Sequence, residues 1–241
     1  MNTTIKRVIA DSITRLLPDA LYLSLMYRYH TGKRLNLSNP VKFSEKIQWL
    51  KLNGYKDHYD DYVDKFKVRE IVRKTVGEDV LIPLYGVYLD VSEIEWDLLP
   101  RQFVLKCTHG SGCNIVCTDK NTLDVEVAKR KLKVWMDRNW FWYGRERPYL
   151  NLKPRIICER FLSDDGQLGT GLTDYKFYCF DGSPEYCQVI MNRCSGGTID
   201  FFDTDWNHMS FSGLRRLPSS SNPIPKPAKL KEMLEIDSTL S

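Results

Sequence analysis

The sequence predicts an α+β fold. Three observations carry this: early stretches in which apolar residues recur at helical spacing, a central strand–glycine loop–strand unit at Phe103–Cys117, and a late series of strand-like runs joined by short turns. At 241 residues the chain can bury a substantial core, as one large domain or two lobes. Its 42% hydrophobic and 27% charged content is ordinary for a globular protein. A formal charge of +4, from 35 basic and 31 acidic residues without a long like-charge run, demands no nucleic-acid partner.

Ile5, Val8, Ile9, Ile13, Leu16 and Leu17 recur at helical spacing, and Pro18 ends that helix. A basic amphipathic start of this kind packs on the body of the protein or makes peripheral contact with a membrane. A second apolar run, Leu21 to Tyr29, follows. Helices are expected over Ser44–Leu52 and Tyr62–Val76, the second with a stripe of Val68, Ile71, Val72 and Val76 and with Gly77 as its stop. Lys65 lies three residues before Val68, on the inward side, where a lysine either snorkels to water or enters a polar cleft.

In the central unit, alternation puts Val104, Lys106 and Thr108 on one face and Phe103, Leu105 and Cys107 on the other. Gly110 and Gly112 allow backbone angles closed to other residues, and the N–H groups of such a turn can wrap an anion that Lys106 helps neutralise. The same residues also fit a plain β-hairpin with a snorkelling lysine.

Thr122 is expected to cap a helix with an apolar face of Ala128, Leu132, Trp135 and Met136. The aromatic stretch Trp140–Pro148 is either a hydrophobic plug or a cover over a planar or sugar-like ligand. Arg155–Leu162 reads as a strand, and Ser163–Gly166 as a turn. Asp174–Phe180, Glu185–Met191 and Thr198–Phe202 read as strands of a meander, with a hairpin turn at Asp181–Pro184. Pro218–Pro227 is expected as a surface loop and Ala228 onward as a final helix.

Seven cysteines, an odd number without Cys-x-x-Cys spacing, argue against a zinc site. Cys107, Cys117, Cys158 and Cys179 lie in apolar runs, where a free thiol behaves as a small hydrophobe, and a reducing cytoplasm is expected. The N-terminus lacks the pattern of a cleavable signal, and no run approaches the roughly 20 apolar residues of a membrane span. A cytoplasmic location follows as the expectation, at the inner face of the membrane if the first helix touches it. The four histidines show no ligand spacing, and no Gly-x-Ser-x-Gly or Rossmann fingerprint is present. Asp203-Thr-Asp205 is an Asp-x-Asp that either binds a cation and nucleotide sugar, as in glycosyltransferases, or forms a solvated turn.

Taken in order, Phe43–Lys51, Asp64-Lys65, Phe103–Gly112, Lys153–Leu162, Asp174–Phe177 and Asp205–Asn207 make the chain resemble the TupA-like ATP-grasp proteins of bacterial cell-surface polysaccharide gene clusters. The resemblance covers nearly the whole chain. It implies an ATP-grasp fold, with ATP held between two α+β lobes: a helical region over 1–60, a first lobe over 61–158 and a second over 159–241. Lys65 and Lys106 would contact the nucleotide phosphates, with His109, Gly110, Ser111 and Gly112 as a mobile flap over them. Glu159 would accept from the adenine amino group, Phe161 and Leu162 would pair with the ring edge through backbone, and Asp174 would hold the ribose. Lys176 and Arg193 would reach the phosphates or an acylphosphate.

The resemblance also implies a carboxylate–amine ligase that activates a small-molecule carboxylate with ATP for attack by an amine or sugar nucleophile in capsule, O-antigen or teichuronic-type polymer assembly. Mg2+ is the metal expected for the family. Its usual ligands follow the helix that matches Lys229 to Ser241, so the sequence is expected to be a C-terminally truncated, incomplete second lobe with no metal ligands of its own. A glycosyltransferase and a nucleotide-binding relic stand as alternatives.

Overall fold

The computed structural model describes residues 14–163, 171–192, 196–211 and 217–241. The chain is α+β with antiparallel sheets, and it divides into two compact units, the first running to Ile71 and resuming over Ile82–Arg160, the second made of Val72–Leu81 and Phe161–Ser241. Among the described residues no helix is long and apolar enough to cross a membrane. The expected Ile5–Leu17 helix falls mostly outside the described residues, as does most of the Ser163–Gly166 turn.

The first unit opens with helices α1 (Asp19–Thr31) and α2 (Phe43–Asn53). Glu45 folds its carboxylate back onto the N–H groups of Val41 and Lys42, which caps α2. The helix expected over Tyr62–Val76 is instead two, α3 (Tyr59–Val63) and α4 (Val68–Thr75). Asp64 causes the break. Its backbone is extended, and its Oδ1 accepts from the N–H groups of Phe66 and Lys67, which offers the chain a local alternative to a continuous helix. Lys65 therefore stands in a link between helices.

Four strands, β1 (Leu84–Tyr88), β2 (Phe103–Cys107), β3 (Asn114–Cys117) and β4 (Ile156–Arg160), form an antiparallel sheet in the order β1-β4-β2-β3. The alternation expected of β2 is present: Phe103, Leu105 and Cys107 are buried in the core, and Val104 and Lys106 are half-buried on the other face. Helix α5 (Val125–Met136) packs on that core through Leu132, Trp135 and Met136. Asp124 caps α5 by accepting from the N–H of Val127; Thr122, expected in that role, lies in a short 3-10 turn before it.

The aromatic stretch contains the short helix α6 (Phe141–Gly144) followed by Arg145, whose side chain is only 1% exposed. Its guanidinium lies 4.4 Å from the ring of Tyr22 and 4.7 Å from that of Trp142, and pairs with Asp19 at 3.1 Å. With Tyr22 also donating to the Tyr143 carbonyl, the stretch fastens α1 to the unit. It is a structural plug.

The second unit is built on β5 (Asp174–Phe180), β6 (Ser183–Met191) and β7 (Thr198–Asp203), a three-stranded antiparallel meander. Asp181 and Gly182 both have positive φ, 51° and 79°, as a two-residue hairpin turn that matches strand twist requires. Helix α7 (Leu230–Leu240) packs on β5 and β6 with Leu230 buried. Pro218–Pro227 is an irregular, mostly exposed loop as expected, tied down at two points: Ser220 donates its N–H to the buried carboxylate of Asp200, and the carbonyl of Ile224 accepts from Trp206.

Free cysteines are found at 107, 113, 117, 158, 179 and 187, five of them buried. Burial pushes the thiols of Cys107, Cys158 and Cys187 up to about 12, so they are packing groups rather than nucleophiles.

Candidate functional site

The chemistry-bearing residues of the first unit gather at the glycine-loop end of β2. Lys106 pairs in register with Ile157 on β4, which places Glu159 diagonally across on the same face. The two meet as an ion pair of 2.5 Å. Glu159 is buried, and its second oxygen lies 3.4 Å from Arg69 of α4, whose other terminal nitrogen donates to the carbonyl of Ile82.

Lys65 approaches from the helix link. Its backbone N–H donates to the carbonyl of Thr108 at 3.2 Å, and its ammonium donates to the carbonyl of Gly110. Asp64, with no exposed surface, holds this arrangement from behind: its second oxygen takes Arg155 at 3.1 Å, and the Arg155 carbonyl accepts from the N–H of Thr108 at 2.9 Å. Burial lowers the Lys65 ammonium below the ordinary lysine value of 10.5, and the charge of Lys106 adds to the effect.

The loop itself is anchored at its root and open at its tip. His109 is buried with Nε2 3.1 Å from the carbonyl of Trp135, and burial lowers its pKa. Gly110 lies so close to Trp140 that a Cβ there would fall 1.7 Å from the indole nitrogen. Gly112 has φ 73°, the left-handed region that favours glycine, and it is exposed together with Ser111. Thr108 Oγ1, His109 Nδ1 and Trp140 Nε1 are buried without a hydrogen-bond partner.

In the second unit, Asp174 and Lys176 lie on the same face of β5, opposite Ile190 and Gln188 of β6, with Lys176 exposed. Phe161 and Leu162 follow β4 in irregular, half-buried chain. Arg193 lies outside the described residues. Asp203 is consumed by its own turn: Oδ1 accepts from the N–H groups of Asp205 and Asn207, and Oδ2 from the Asn207 side chain. Those bonds hold its carboxyl below the usual range. Among the described residues no three His, Cys, Asp or Glu side chains converge as a metal site.

Two participants escaped the sequence reading. Arg69 carries only the weak signal of lying four residues after Lys65, and the seat of Gly110 on Trp140 spans thirty positions that no local pattern connects.

The fold and this cluster define an α+β protein with a cationic glycine-loop site. The family model described as TupA-like ATPgrasp matches residues 45–241, and the chain belongs to that family. No curated protein and no solved structure matches it.

Proposed function

We propose that the protein binds ATP at the glycine-loop end of β2 and uses it as a carboxylate–amine ligase in bacterial surface polysaccharide assembly. The supporting observation is the charge count of the cluster. Lys65, Lys106, Arg69 and Arg155 stand against two carboxylates, Glu159 and Asp64, leaving two positive charges in excess in a partly buried place. Burial makes like charges costly to hold together, so the arrangement favours a polyanionic ligand that would neutralise them. A nucleotide triphosphate does so, and membership of an ATP-grasp family points to that ligand among polyanions.

In this reading a phosphate oxygen takes Lys106 in exchange for Glu159, and the freed Glu159 accepts from the adenine amino group. Lys65 approaches a second phosphate while the exposed Ser111–Gly112 tip supplies backbone N–H groups. The unpaired Thr108 hydroxyl and Trp140 indole N–H at the loop root are polar groups whose missing partners fit a segment that shifts as it closes on a ligand. Asp174 and Lys176 are proposed, on the family pattern, as ribose and phosphate contacts.

The chemistry proposed is acyl activation. A carboxylate oxygen of the substrate attacks the γ-phosphorus and ADP departs; an amine then attacks the acyl carbon, and phosphate leaves carrying that carboxylate oxygen. The protein's part is positioning and charge neutralisation. The glycosyltransferase alternative has less support, because the Asp203 carboxylate already accepts three hydrogen bonds within its turn. The test is oxygen-18 transfer: with ATP, magnesium, an amine and a uronic acid labelled in its carboxylate, the label is expected in the released phosphate. Nucleotide binding with no label transfer across a panel of carboxylates would instead favour a binding relic.

A further inference from the structure

Helix α1 is apolar on both sides. Tyr22, Leu23 and Tyr27 are buried, whereas Leu21, Leu25 and Tyr29, at spacings of four along the opposite face, are 47%, 52% and 81% exposed. A helix apolar on both sides is ordinarily covered, and among the described residues nothing covers this outer stripe. On α2, Phe43 and Leu50, seven residues apart on one face, are likewise exposed.

The charge around these stripes has one sign. Residues 14–53 hold seven basic side chains against two acidic ones, although the whole chain is nearly balanced. Neither acid is free: Asp19 pairs with the buried Arg145, and Glu45 is buried in its cap. Arg28, Lys33, Arg34, Lys42 and Lys46 are all exposed and make no ion pair among the described residues. Arg28 shares the outer face of α1 with the leucines, and Lys33 and Arg34 follow directly after its end.

We propose that this helical face docks on an anionic lipid bilayer, with Leu21, Leu25 and Tyr29 inserted at the boundary of headgroups and acyl chains and the cations on the phosphates. Exposed leucines flanked by unpaired lysine and arginine are the composition of an interfacial helix, and tyrosine suits the same depth. A second copy of the chain would bring two such cationic faces together and is disfavoured by repulsion. The inference is independent of ATP binding.

The test uses the full chain without nucleotide, sedimented with vesicles of phosphatidylcholine alone or with about a third phosphatidylglycerol. Binding is expected to be at least about tenfold stronger on the anionic vesicles, to weaken with salt, and to fall about tenfold or more in Leu21→Asp/Leu25→Asp. Arg28→Glu/Lys33→Glu/Arg34→Glu, which changes only exposed side chains, is expected to lose binding equally and decides the matter if the leucine variant does not fold. No binding to anionic vesicles, or binding undiminished in the arginine–lysine variant, overturns the proposal. So does self-association of the full chain in light scattering that the leucine substitutions abolish.

Discussion

Lys65 joins the fold to the proposed chemistry most closely. Its ammonium is partly buried, near Lys106, and held on the carbonyl of Gly110, so the charged form is less favoured than in water. An anionic ligand favours that charged form. Nucleotide affinity is therefore expected to be present while Lys65 is protonated and to be lost as pH rises through its folded pKa, with the loss beginning below the ordinary lysine value of 10.5. Lys65→Arg, which stays protonated throughout, is expected to keep its affinity across that window, as titration of ATP over an alkaline pH series would report. An identical alkaline loss in both proteins would place the titrating group elsewhere.

The loop between β2 and β3 works as an element because its root is fixed by packing while its tip is free. Alanine at Gly110 would drive its Cβ into the indole of Trp140, a backbone-to-ring collision that the loop can relieve only by moving. Gly110→Ala is expected to cost about 1–3 kcal/mol in chemical denaturation and to weaken ATP binding. In a Trp140→Ala background the collision with the indole is removed, and the added cost of the same substitution should fall by about 0.5–3 kcal/mol. Additive effects in the cycle would mean that Trp140 does not seat the loop. The alternation of β2 and the glycine positions were legible in the sequence because a strand's periodicity is local and both of its faces carry clear preferences. The division of the Tyr62–Val76 helix was not. Asp64 breaks it by turning one carboxylate oxygen onto the N–H groups of Phe66 and Lys67 while its other oxygen takes Arg155, a partner ninety-one residues away that no window of the sequence contains. Thr122 and Asp124 compete for the same cap, and only the backbone path before α5 decides for Asp124.

At the scale of the whole molecule, the order of motifs was more informative than any one of them. A glycine loop with a lysine is a common hairpin, and an aromatic cluster is a common plug; the second turned out to be a clamp around Arg145 and α1. What the sequence could not disclose is the company its charges keep. Glu159 is shared between Lys106 and Arg69, so the site is balanced toward a polyanion by a pairing that spans three elements. The most direct measurement is calorimetric titration of ATP into the full chain and into Lys106→Ala, with unfolding followed in parallel to confirm that the variant is folded. Saturable binding by the parent, weakened at least about tenfold by the substitution, is the predicted result. A folded parent that binds no ATP, or a variant that binds it equally well, would contradict the assignment of this cluster as a nucleotide site.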